Sequence, residues 1–146
     1  RAPAQLLEAL SALISGGAVL IVVLVTTLEL GSVRVIEARA RSAADLAALV
    51  AVNDQDDGEL ARSGRLVPAA DAADVARTLF AANLEPIAAL LATTPAAIAG
   101  AASVRVDVAP ATVRIRATVP VRTPVFGALF FHPITDVAVV ANGGAR

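Results

Sequence analysis

The sequence predicts an α+β protein: one long N-terminal helix followed by a small head with a short helix and an antiparallel β-sheet. Three observations predict it. Ala9 to Leu28 holds twenty residues without a charge, and helical periodicity runs on from it to Val52. A second helical pattern, broken by Pro86, follows a cluster of acids. From Val104 the period changes to two, with apolar residues alternating with arginines. The division this suggests is residues 1–52 as helix and residues 53–146 as head.

Read in order, the first element is a rod from about Ala4 to Val52, roughly 70 Å long at ~1.5 Å per residue. Its charge-free part spans about 30 Å, the thickness of a bilayer's hydrocarbon core. Because the pattern flows on into Glu29, a cleaved signal peptide is a poor description, and the apolar stretch is expected to stay in the working protein. Starting at Arg1 without Met, the sequence leads one to expect that a leader or start residue has been removed. Arg1 lies before the apolar run and Arg34, Arg39 and Arg41 after it, so basic residues do not orient it.

Glu8 stands at the edge of this run. It reads either as an interfacial acid that suits a helix N-terminus or as the partner of a neighbouring subunit's N-terminal amine. Gly16 and Gly17 lie inside the run and either let helices approach closely or mark a point where the helix unwinds. Leu13, Ile14, Leu20, Ile21, Leu24 and Leu28 are apolar residues with no evident partner of their own. With Glu8, Gly16, Gly17 and Glu29 they form the candidate subunit-assembly set.

Beyond Glu29 the two faces separate. Val33, Ile36, Ala40, Ala43 and Ala47 share one stripe, small enough for a sheet to lie close against the rod. Arg34, Glu37, Arg41 and Asp45 form a second stripe, with Glu37–Arg41 and Arg41–Asp45 as i,i+4 pairs on a solvated ladder. The segment Asn53 to Glu59 carries four acids and Gly58. Aligned on that glycine as a calcium loop, it places Gln55 third and Gly64 twelfth, so a solvated turn is the better reading.

Residues 69–92 read as the second helix, capped near Asp71, with Val75, Leu79 and Ala82 on its inner face. Pro86 ends it after Leu84, and Ile87 to Ala92 adds a turn or two. Val104, Val106 and Val108 then alternate with Arg105 and Asp107. After Ala109-Pro110-Ala111, Val113, Ile115, Ala117 and Val119 alternate with Arg114, Arg116 and Thr118. That is a hairpin with Val104, Val106, Val113, Ile115 and Val119 inward and Arg105, Arg114 and Arg116 outward. Ile134 to Ala141 reads as a third strand. Val125 to Phe131 holds three of the chain's four phenylalanines, either as filler under the sheet or as an exposed loop that contacts a neighbour.

Composition narrows the function. The chain is 57% hydrophobic with a net charge of −1, and neither sign clusters strongly, which argues against nucleic acid as a partner. Without cysteine there is no disulfide, thiol chemistry or Cys-ligated zinc. His132 is the only histidine and lies between Phe131 and Pro133, and no serine sits in a nucleophile-elbow context. Phosphate-cradling glycine loops and HExxH are absent. No catalytic residue, cofactor or metal ligand is assigned, and an enzyme is not expected. The chain has no Asn-x-Ser/Thr site.

The run from Glu29 to Val52, ELGSVRVIEARARSAADLAALVAV, resembles the TadE/TadG-like proteins of tight-adherence (Flp) pilus systems. In that family an apolar helix leads to an acid and a glycine, an apolar-basic turn, and an AADxAAL-type segment. Here these are Glu29, Gly31, Arg34, and Ala43-Ala44-Asp45-Leu46-Ala47-Ala48-Leu49. The tail is also similar, with paired alternating strands, a Val119-Pro120-Val121 step, a Phe/Leu-rich loop around Gly127 and a Val/Ala-rich last strand. Family members commonly open with Arg-Gly and a Glu near the apolar run, where this chain has Arg1-Ala2-Pro3 and Glu8. A prepilin-type peptidase cutting before Ala4 would make Glu8 the fifth residue, as in type IV pilins.

A bundle of identical helices would bury the apolar surface from Leu6 to Leu30, so a structural subunit of an extracellular Tad-like filament is expected, a helical homopolymer joined through its N-terminal helices. The resemblance implies a pilin-like or pseudopilin-like role at the cell envelope and does not separate the main building block from a minor component. It also implies storage as a single-pass protein of the inner membrane and contact with the pilus assembly machinery. The alternative it leaves is a membrane-anchored minor pseudopilin or an envelope binding module of the same kind of system.

Overall fold

The computed structural model describes residues 2–145, with side chains of the first helix described at Gln5, Glu8, Ser11 and from Leu13 onward. The fold is α+β, as predicted. Helix α1, Ala2–Asn53, is a single rod of 52 residues, about 78 Å long at ~1.5 Å per residue. Its C-terminal half builds the head's core. Val33, Ile36, Ala40, Ala43 and Ala47 are all buried, joined by Ala44, Ala48, Ala51 and Val52. The exposed ladder differs in one rung. Arg34 pairs with Glu37 at 3.0 Å and Arg41 with Glu37 at 3.6 Å, so Glu37 takes both arginines. The expected Arg41–Asp45 pair is not among the ion pairs of the described residues.

The acidic segment is not just a turn. Asp56 caps a short helix, α2 (Asp57–Ser63), its carboxylate accepting from the Glu59 amide at 2.9 Å. Gly64, with φ +68°, closes that helix in the left-handed conformation glycine tolerates. Next comes α3, Ala72–Leu84. Its buried face is Ala72, Ala76, Phe80 and Leu84, while Val75 and Leu79 are half-buried and Ala82 is exposed. The predicted inner face was therefore turned. Small Ala72 and Ala76 let α3 approach its neighbours, and Phe80 fills the space beyond them. Asp71 precedes α3 without a side-chain cap bond. At Pro86 the chain tightens into a 3-10 helix, Glu85–Leu90, and Thr94 then caps a further short helix, α4 (Pro95–Ala101), which the sequence did not reveal.

Strands β1 (Ser103–Val108), β2 (Ala111–Arg122) and β3 (Ile134–Gly144) form an antiparallel sheet in the order β1-β2-β3. The register sets Val104 opposite Ile115, Val106 opposite Val113, and Val119 opposite Val137. Val113, Ile115, Val119, Val121, Val137, Val139 and Ala141 are buried, and Val104 and Val106 pack at the core's edge. Arg105 and Arg116 are exposed and Arg114 is half-exposed, as the alternation required. The sheet lies very close to the rod at Gly143. A Cβ there would stand 2.6 Å from the carbonyl carbon of Ala48 and 2.9 Å from the amide nitrogen of Leu49. Between β2 and β3, in place of a loop, runs helix α5, Pro124–Phe130.

Candidate functional site

The site expected from the sequence is the apolar half of α1, and its described residues from Leu13 to Leu24 stand exposed. Leu13, Ile14, Leu20, Ile21, Leu24 and Leu28 are all more than half exposed, and Leu13 reaches 75%. Gly16 and Gly17 have nothing from the rest of the chain within 4 Å of a would-be Cβ. Glu8 is exposed, and among the described residues it forms no ion pair. The amine expected as its partner is that of a neighbouring subunit. By length and composition α1 is able to cross a bilayer once, and only 6% of its most apolar window is buried within the fold.

Glu29 parts company with the others. It is 7% exposed and faces its own chain. One carboxylate oxygen accepts from the Val125 amide at 2.9 Å, and the other from the Phe126 amide at 2.6 Å. These amides open α5, whose first turn has no side-chain cap of its own. A carboxylate at that place satisfies two orphan donors and suits the helix dipole. Glu29 is thus an internal clamp between rod and head, not an exposed assembly residue. The sequence signal was Thr123-Pro124, since proline favours the first position of a helix. The acid to match it lies almost a hundred residues earlier.

Around the clamp the surface is apolar. A groove of about 690 Å³ runs between α1, the 3-10 helix and α5, lined by Leu28, Val35, Ile87, Leu90, Pro124 and Val125 with the charged residues Glu29, Arg39 and Arg122. A second crevice of about 330 Å³ separates Ile21, Val22 and Val25 from Pro124, Val125, Ala128 and Leu129. Of the two readings of the phenylalanine segment, the exposed one describes its tip. Leu129, Phe130 and Phe131 face solvent, while Phe126 is half-buried and meets Phe130 edge-on at 6.1 Å. Phe80, not one of these three, fills the core.

The other chemically distinct surface is the open face of the sheet. Arg105 stands opposite Arg114, Ser103 opposite Arg116, and Arg114 donates to Asn142 Oδ1 at 2.7 Å. His132 is exposed, and its backbone ties the end of α5: its amide donates to Phe126 and its carbonyl accepts from Thr123. Among the described residues, no three His, Asp or Glu side chains gather in a way that could hold a metal ion.

Compared with known protein families, curated proteins and solved structures, the chain matches none of them.

Proposed function

We propose that this chain is the structural subunit of an extracellular Tad-like pilus filament, held in the inner membrane by α1 until it assembles through that same helix. The observation that carries the proposal is the contrast between the two halves of α1. From Val33 onward its inner stripe is covered by the head, whereas from Leu13 to Leu24 its large apolar residues stand exposed all round. Each Leu, Ile or Val moved from water to a packed environment contributes about 1.5–3 kcal/mol, and most of this helix half consists of such residues. Lipid covers that surface in the stored state, and a bundle of identical helices covers it in a filament. The resemblance of Glu29 to Val52 to TadE/TadG-like proteins supports the same reading. The role is mechanical, with no catalytic residue, cofactor or nucleic acid.

Electron microscopy of material sheared from the surface of the source cells tests the proposal. Filaments composed mainly of this chain are expected. Thin pili from which the chain is almost absent would make it a minor subunit, and recovery solely as detergent-extracted monomers would favour a membrane-anchored binding module. Glu8→Gln is expected to reduce filament yield by removing a charge that sets register between neighbouring helices.

A further inference from the structure

The head contains one feature that neither its core nor a helical bundle explains. Phe131 is 88% exposed and Phe130 55% exposed, next to the exposed Leu129, at the tip of α5. The tip is held in place. The Glu29 carboxylate pins the first turn of α5, and Ala128 and Leu129 share an apolar crevice with Ile21, Val22 and Val25 of α1. Val22 comes six residues before Leu28, where the charge-free run ends. At ~1.5 Å per residue, α5 therefore reaches about 9 Å back along the apolar part of the rod. From Thr123 to Thr135 there is no Asp, Glu or Arg.

We infer that the α5 tip, Leu129-Phe130-Phe131, is a second membrane contact, inserting among the acyl chains just beneath the headgroups of the leaflet in which the charge-free part of α1 ends at Leu28. This rests on the reading of α1 as a membrane-spanning helix. The depth agrees: interfacial apolar surfaces bury about 5–10 Å into the headgroup–acyl boundary. The chemistry agrees too. A tip without charges meets the lipid chains, while the exposed Arg122, just before α5 and lining the groove beside the clamp, meets lipid phosphates. Two contacts on one leaflet hold the head in a fixed orientation against the membrane, with Glu29 as the strut between them.

The chain has no Trp, so Phe131→Trp supplies a single fluorescent indole in the full-length protein. The variant is reconstituted into phosphatidylcholine vesicles containing brominated lipids, with Leu20→Trp as a reference inside α1. Phe131→Trp is expected to lose most of its emission to lipids brominated near the carbonyl end of the acyl chain and to resist aqueous iodide. Leu20→Trp is expected to be quenched best by lipids brominated near the chain terminus. Phe130→Trp should repeat the shallow result. Quenching of Phe131→Trp by iodide while Leu20→Trp responds to deep bromine would overturn the inference and leave the spanning helix standing. An indole at the tip shielded from both quenchers, with emission that shifts as the protein is diluted into lipid, would mean a second copy covers it and would also overturn the inference. Loss of lipid quenching in both variants would remove the spanning helix and the inference together.

Discussion

Glu29 is a buried carboxyl group that forms no ion pair among the described residues, and hydrogen bonds explain how the fold tolerates it. Two backbone amides of α5 point at its two oxygens, at 2.9 and 2.6 Å, so desolvation is offset by charge-assisted bonds and a favourable dipole. Removing the carboxylate leaves both amides as orphan donors at a covered helix end. Glu29→Ala is therefore expected to weaken the docking of α5 by about 2–4 kcal/mol, with little effect on the sheet or α3. Hydrogen exchange checks this residue by residue: the amides of Val125 and Phe126 should lose protection, while those of Ile115 and Val139 keep it. Glu29→Gln, which retains one acceptor, should fall between. Unchanged exchange at both α5 amides in Glu29→Ala would show that the clamp contributes nothing.

At the scale of elements, the head is organised by how closely its parts approach α1. Alanines at positions 40, 44, 47, 48 and 51 remove side-chain bulk from the rod, and Gly143 removes it from β3, so backbone meets backbone. Gly143→Ala is expected to destabilise the head by about 1–3 kcal/mol, because neither the Ala48 carbonyl nor the Leu49 amide can give way. Gly144→Ala, whose Cβ would enter open space, should stay within about 0.5 kcal/mol of the parent. Denaturant unfolding of both variants in the same detergent checks the pair, and equal stabilities would contradict the close contact. The same scale shows what could be read from the sequence. The alanine stripe of α1 and the alternation of β1 and β2 were legible because each repeats over many residues with one buried face. Helices α2, α4 and α5 were not, since seven residues each give too few turns for a periodic signal and their caps and contacts hold them. The inner face of α3 was misread because Val75 and Leu79 are larger than Ala72 and Ala76. Close approach favoured the smaller pair.

In the whole molecule, one helix is divided between two environments. The half from Val33 onward belongs to the head, and the half from Leu13 to Leu28 belongs to whatever surrounds the molecule. The exposed set at Leu13, Ile14, Gly16, Gly17, Leu20, Ile21, Leu24 and Leu28 was legible because a charge-free run of this length has no soluble use for its own small head. The role of Glu29 was not, because the amides it caps come from the far end of the chain and leave no local pattern. Since Glu8 lies far from the head's core, Glu8→Gln is expected to lower assembly while the unfolding midpoint of the detergent-solubilised protein stays unchanged. A matching fall in both would mean that Glu8 stabilises the monomer instead. The most direct measurement of the central claim is a helical reconstruction of sheared surface filaments by cryo-electron microscopy. A central bundle is expected, in which Leu13, Leu20 and Leu24 of neighbouring copies pack together, with the heads outside. A filament whose copies touch only through their heads, leaving the first half of α1 uncovered, would contradict it.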